Sequence, residues 1–327
     1  MTAEGLGGMD GHAGMDGHPG MDANSTPRPV SDVVCALGEG PTWDADAGVV
    51  RWVDIDRGVL YEAPVGVGDS AAADGVGPTR IGVTRAVLTV DGTLGAAVHA
   101  EGGGFLLATS RHLEHRDASG ATTARWELIP AGQPRRLNDG ACDPDGRYVV
   151  GSILRDAAPG DEQLWRLEHD GTVTVLDEGI SLSNGIAWSP DGRVMYHVDT
   201  RRHVVTARDY DPTGAGVGPA SVLIDTGDAL PDGLAVDTTG DLWIAMWGEG
   251  EIRRFAPDGT QRGVLRTGIP RNSSCAFVGP ELDLLVVTSA GSGAAADAVD
   301  GRLLAVRVAV TGMPTRAWRP CAHGSPQ

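Results

Sequence analysis

One short pattern recurs along this chain of 327 residues and limits what it can fold into. It reads LSNGIAWSPDGRVMYHVD from Leu182 and LPDGLAVDTTGDLWIAMW from Leu230. Looser copies are RLNDGACDPDGRYVVGSI from Arg136, LGEGPTWDADAGVVRWVDI from Leu37 and NSSCAFVGPELDLLVVTS from Asn272. The faintest, TRAVLTVDGTLGAAVH, starts at Thr84. Each copy is a polar turn residue, a short apolar strand, a Gly/Asp turn and a second apolar strand. Glycine in such turns takes the positive φ that a tight hairpin needs. No stretch sustains helical periodicity.

Aligning the copies on the strand alanine and the turn glycine puts Glu39, Thr84, Asn138, Asn184, Asp232 and Ser273 at one position. The interval is about 40 to 55 residues, the range of four-stranded propeller blades. The sequence therefore predicts an all-β chain, a six-bladed β-propeller over residues 29–327. A strand around Ser31–Ala36 is expected to complete the last blade beside RLLAVRVAV, which starts at Arg302. A β-sandwich would give no reason for a six-fold repeat. Residues 1–28 carry almost no large apolar groups and read as a disordered low-complexity tail. Its His12 and His18 make only a weak metal site.

Composition removes several function classes. A net charge of -18 argues against nucleic acid, whose phosphates call for a basic surface. Lysine is absent, which excludes Schiff-base and Walker-type chemistry. No run approaches the roughly 20 apolar residues of a membrane span, and the polar N-terminus is not a secretory signal. A cytoplasmic location follows by default. Cys35, Cys142, Cys275 and Cys321 form no C-x-x-C pair. Cys142 and Cys275 read as small core residues. Cys35 and Cys321, near opposite chain ends, read as free thiols, although a closed ring could bring them together.

In a propeller the first strand of each blade lines the central channel, so the residue before it faces the channel mouth. The six aligned positions then form a ring in which every side chain carries oxygen. A single Asn or Asp before a strand is ordinarily a turn residue, and only the convergence of six favours a site. Glu39, Asn184 and Asp232 supply two carboxylates and an amide carbonyl, a donor set for a hard divalent cation. Calcium fits best; magnesium, manganese or zinc are alternatives. Neither an H-E-x-x-H nor a G-x-S-x-G motif is present. His99 and His197 read as packed or channel-lining, and Asp54 and Asp199 as acceptors for blade backbone.

The segments LGEGPTWD, RLNDGACDPDGR, SNGIAWSPDGRVMYHVDT, PDGLAVDTTGDLWIAMWGEG and NSSCAFVGPELDLLVVTSA resemble the signature segments of the gluconolactonase/regucalcin (senescence marker protein) family. The resemblance runs from about Ser31 to Pro314, in order. It implies a metal held by Glu39, Asn184 and Asp232, with Asp232 also the catalytic base. It further implies that Arg136 and Asn138 bind a sugar lactone, with Asp156 standing where some members have Glu. The implied reaction is metal-dependent hydrolysis of an aldonolactone to the aldonic acid. Asp156 and the segment TRRHVVTA from Thr200 depart from the family pattern and leave the substrate's identity open. The alternatives are an organophosphate or other ester hydrolase on the same site, or a calcium-binding propeller without turnover. Oligomeric state is not indicated.

Overall fold

The computed structural model describes residues 26–67, 79–154, 160–214, 216–293 and 299–320. His12, His18, Asp156 and Cys321 lie outside these residues. The described chain is a six-bladed β-propeller whose one helical element is a 3-10 turn at Thr200–Arg202.

Five blades are four-stranded antiparallel sheets and one has five strands. Their innermost strands are Gly38–Asp44, Leu94–His99, Arg135–Cys142, Ser183–Trp188, Leu230–Val236 and Asn272–Val278, in blades 1 to 6. Each innermost strand contacts the next around a closed circle, blade 6 returning to blade 1. Closure of the ring leaves only the outer strand of each blade as an edge.

Six apolar clusters, one between each pair of neighbouring blades, hold the ring together. Trp188, Met195 and Tyr210 of blade 4 pack on Val149 and Leu164 of blade 3. Trp243 and Ile252 of blade 5 pack on Phe277 and Leu285 of blade 6. Trp43 and Trp52 of blade 1 meet Val278 and Val286 of blade 6, which makes the closing interface as apolar as the others. Fully burying side chains of this size contributes about 1.5–3 kcal/mol each, so the blades interlock through their faces.

The last blade is closed by the start of the chain, at Arg28–Pro29 rather than within Ser31–Ala36. Arg28 pairs with Ala305 and Pro29 with Leu304. Pro29 lacks a backbone N–H, and an outer strand tolerates it because only one of its sides is paired. The chain then leaves the ladder, held by Val30 N to Leu303 O (2.8 Å) and Cys35 N to Gly301 O (2.8 Å).

Thr84 does not open a blade. The strand Arg85–Thr89 that follows it is an outer strand of blade 1, paired with Val59–Val67. The innermost strand of blade 2 is Leu94–His99, beyond the Asp91–Gly92 turn. The turn that resembles a hairpin within a blade here carries the chain from one blade to the next.

Residues 312–319 cross the channel mouth opposite the ring residues. Met313 N donates to Val236 O of blade 5 (3.1 Å), and Trp318 N to His99 O of blade 2 (3.0 Å). Thr315 Oγ1 accepts from Trp43 N of blade 1 (3.0 Å), and Arg319 N donates to Gly146 O of blade 3 (2.9 Å). Trp318 is 2% exposed and seals the cluster between blades 2 and 3.

Candidate active site at the channel mouth

Each innermost strand breaks its ladder with a β-bulge at the channel-mouth end. The register shifts at Glu39/Thr42, Leu94/Ala96, Leu137/Gly140, Ser183/Ile186, Pro231/Leu234 and Asn272/Ser274. A bulge frees a residue from pairing and re-aims its side chain. The positions so freed include Gly95, Asn138 with Asp139, Asn184, Asp232 and Ser273, while in blade 1 Glu39 stays paired with Val53 and borders the bulge. Blade 2 thus contributes Gly95, which has no side chain, where Thr84 was expected. A Cβ on Gly95 would lie 2.6 Å from the backbone oxygens of Leu137 and Asn138, so glycine lets blade 3 approach.

Ser273 is tied into the scaffold. Its hydroxyl bonds to Gly38 O (2.5 Å) and Thr288 Oγ1 (3.0 Å), tying blade 6 to blade 1. The other predicted site residues within the described chain come together. Glu39, Arg136, Asn138, Asn184 and Asp232 are all buried at one mouth. Arg136 Nη1 donates to Asn138 Oδ1 (2.5 Å). Asn138 Nδ2 donates to Asn184 Oδ1 (2.6 Å) and to Ser183 O (2.8 Å). Asn184 Nδ2 donates to Thr200 Oγ1 (2.8 Å).

Asp139, one position past the aligned Asn138, belongs to this mouth as well. It shares the blade 3 bulge with Asn138 and accepts from Gly140 N (2.8 Å). The signal was present, an acidic residue beside Asn138 inside R-x-N-D-G. Burial raises its carboxyl to about 6, opposed only by the Gly140 N–H. Burial, with Asp139 nearby, also raises Glu39. Asp232 is pushed well up by burial and then by Glu39 and Asp139, with Arg136 opposing. Oδ1 of Asp232 is buried and has no hydrogen-bond partner. Asp139, raised by burial, thus helps to raise Glu39, both help to raise Asp232, and one oxygen of Asp232 is unsatisfied.

A divalent cation fits this arrangement. It would neutralise carboxylates that otherwise repel, and it would satisfy Asp232 Oδ1. Among the described residues no three His, Cys, Asp or Glu side chains close around one point, so a cation held here would need an oxygen of another kind as well. Asn184 Oδ1, which accepts from Asn138 Nδ2, is an amide oxygen that could complete such a set. Its amide orientation follows from the network, because Thr200 Oγ1 donates to Pro231 O (2.7 Å) and can only accept from Asn184.

Below the ring, a cavity of ≈ 160 Å³ runs down the channel from Gly40 and Asp139 to Met313–Arg316. Small residues such as Ala96, Ala187 and Ala276 line it. The C-terminal crossing floors it, which leaves the ring mouth as the approach to the carboxylates.

The other sequence-marked groups are structural. Asp54 accepts from Ala36 N (2.9 Å) and Leu37 N (3.3 Å), and Asp199 from Ser181 N (3.0 Å) and Leu182 N (3.1 Å). Each fixes the segment leading into a ring residue. His197 is buried against Ser183 Oγ (2.8 Å), and burial lowers it to about 4, so it is neutral near pH 7. Cys142 and Cys275 are buried core thiols, and Cys35 is buried and unpaired.

Residues 37–291 match the family described as SMP-30/Gluconolactonase/LRE-like region. The chain belongs to this family. One relative in the SMP-30/gluconolactonase family is the pentonolactonase XacC of Haloferax volcanii. It is 31% identical over 298 residues, 87% of this chain and 95% of that protein. The 6-deoxy-6-sulfogluconolactonase of Pseudomonas putida is 30% identical over 285 residues, 84% and 92% of the two chains. Among solved structures, the calcium-binding protein regucalcin of Agrobacterium tumefaciens superposes with a TM-score of 0.75. It is 29% identical and covers 90% of this chain and 98% of its own. The channel-flooring residues 312–319 lie beyond the segment that carries the family match.

Proposed function

We propose that this protein is a metal-dependent lactonase that opens a sugar lactone to the aldonic acid. The observation that carries the reading is Asp232 Oδ1, buried without a partner beside Glu39 and Asp139 at the mouth of the channel. Glu39, Asn184 and Asp232 would hold the cation, and Asp139 adds negative charge next to them. Calcium is the preferred ion, on oxygen donors alone and on the calcium-binding description of the regucalcin relative. Manganese, magnesium and zinc are the alternatives.

The bound ion supplies a Lewis acid for the lactone carbonyl and for the oxyanion that develops as water adds. The remaining chemistry belongs to the chain. Asp232 takes the proton from the attacking water and returns it to the ring oxygen as the carbon–oxygen bond breaks. The guanidinium of Arg136 and the amide of Asn138 donate hydrogen bonds to ring hydroxyls and fix the lactone for attack. The family resemblance assigns Asp156, outside the described residues, to those hydroxyls as well. The buried mouth keeps bulk water from these groups, so each hydrogen bond counts for more than it would in solvent.

A site built only to hold calcium has no need of Arg136, a cation, beside the carboxylates. That guanidinium favours a site that also takes an oxygen-rich substrate. Relatives named pentonolactonase and 6-deoxy-6-sulfogluconolactonase support a lactone over a phosphotriester. The test is a pH-indicator assay over pentono- and hexonolactones and one phosphotriester, with calcium and with chelator. Acid release from a lactone, lost in Asp232→Asn, is expected. Turnover of the phosphotriester alone, or of nothing, overturns the reading.

A further inference from the structure

We propose that Thr200 is a positioning residue for the cation site, setting the direction in which Asn184 presents its amide. This inference rests on the metal-site reading above. Thr200 begins the 3-10 turn between the second and third strands of blade 4 and is buried. Its hydroxyl touches two groups. It donates to Pro231 O (2.7 Å), the residue before Asp232, and accepts from Asn184 Nδ2 (2.8 Å).

A hydroxyl has one proton. A carbonyl oxygen only accepts, so the Thr200 proton is committed to Pro231. Toward Asn184 the hydroxyl can then only accept. The amide nitrogen must face Thr200, and the amide oxygen must face the channel. Reversal of the amide would set an NH2 group against the ion and remove a ligand. Asn138 is oriented to match, because its Nδ2 donates both to Asn184 Oδ1 and to the carbonyl Ser183 O, which leaves Asn138 Oδ1 for Arg136.

The chain of bonds is anchored at its other end by Arg136, which only donates. In the proposed reaction, however, Arg136 and Asn138 turn their donors to the lactone. Thr200 is then the remaining anchor of Asn184. It also joins two blades, since Asn184 stands on blade 4 and Pro231–Asp232 on blade 5.

The turn itself is clamped. Thr200 N donates to Leu182 O (3.1 Å), and His203, in the left-handed region at φ 58, returns its N–H to Thr200 O (3.0 Å). His203 Nδ1 lies 3.0 Å from Ala229 O of the segment entering blade 5. The hydroxyl is therefore held in place by backbone contacts that substitution of its side chain leaves intact.

The experiment is calorimetric titration of the metal-free protein with calcium alone, for wild type, Asp232→Asn, Thr200→Val and Thr200→Ser. Groups that orient metal ligands typically govern affinity ten- to hundred-fold. Thr200→Val, equal in shape but lacking the hydroxyl, is expected to weaken calcium binding about tenfold or more. Thr200→Ser, which restores the hydroxyl, is expected to stay within about threefold of wild type, a recovery that a packing role would not produce. Wild-type affinity in Thr200→Val overturns the inference, and so does a Thr200→Ser variant as weak as Thr200→Val. Absence of calcium binding by wild type, or undiminished binding by Asp232→Asn, overturns instead the metal site on which the inference rests.

Discussion

Asn138 donates its amide N–H to the amide oxygen of Asn184 across 2.6 Å, so a residue of blade 3 aims a residue of blade 4. Thr200 fixes the same direction from the other side of the amide. The Asn138–Asn184 bond links the proposed lactone-binding pair, Arg136 and Asn138, to the proposed cation ligands, and it makes each sensitive to the other.

Replacement of Asn184 by Leu removes the amide oxygen at nearly constant volume. Nδ2 of Asn138 loses one of its two acceptors, and Thr200 loses the donor it accepts from. The stability cost is about 1–3 kcal/mol from unsatisfied buried groups, read from urea denaturation of the metal-free proteins. Calcium binding is expected to disappear while the blades remain intact by circular dichroism. Calcium affinity equal to wild type would contradict the assignment of Asn184 as a ligand.

Burial raises Glu39, Asp139 and Asp232 above their unfolded values, and repulsion from neighbouring carboxylates adds to the rise at Glu39 and Asp232. The metal-free folded protein therefore binds more protons than the unfolded chain from the ordinary carboxylate range up toward neutrality. Its stability falls as pH rises through that window. A divalent cation favours the charged forms, so calcium binding releases protons and strengthens as pH rises. Near pH 6, the calorimetric enthalpy of calcium binding should vary with the ionisation heat of the buffer. A buffer-independent enthalpy would count against carboxylates that titrate with the ion.

Gly185 follows Asn184 and faces blade 5. A Cβ there would lie 2.7 Å from Asp232 O and 2.8 Å from Leu234 N, both backbone atoms that cannot move aside cheaply. Gly185→Ala is expected to cost about 1–3 kcal/mol and to separate Asn184 from Asp232. Urea denaturation measures the first effect and lactone turnover the second. An unchanged midpoint with unchanged turnover would show that the two blades are less tightly set than these distances require.

Trp318 tests the floor of the channel. Its ring packs edge-on to Trp126 (centroids 6.3 Å apart) and to His115 (4.8 Å). Trp318→Ala is expected to cost about 3–5 kcal/mol, seen as a lowered thermal midpoint. Because it lies at the mouth opposite the ring, KM for the lactone should change less than about twofold in protein that remains folded, since uniform binding of substrate is untouched. A large rise in KM would mean that the lactone reaches the floor.

Five of the six blades could be placed from the repeat, because a polar turn residue, strand, tight turn and strand are all local features. The copy at Thr84 shows the limit. Asp91–Gly92 joins two strands as the turns of the other copies do, yet those strands belong to different blades. A strand–turn–strand pattern does not state whether its strands pair. Residues 312–319 carry no copy of the pattern, and their place across the channel follows from bonds to five separate blades or their turns.

The residue types in the ring were legible in the chain order, as were Glu39, Asn184 and Asp232 as oxygen donors. Folding decided which of the ring residues are available. Ser273 donates its proton to Gly38 O, 235 positions away in sequence, and Gly95 leaves an empty place in blade 2. Folding also added Asp139, whose carboxyl matters because blades 1 and 5 bring Glu39 and Asp232 near it. Periodicity and turn chemistry act over a few residues and survive in a linear string. The hydrogen-bond direction of an amide and the pKa of a carboxyl depend on neighbours that only closure of the ring supplies.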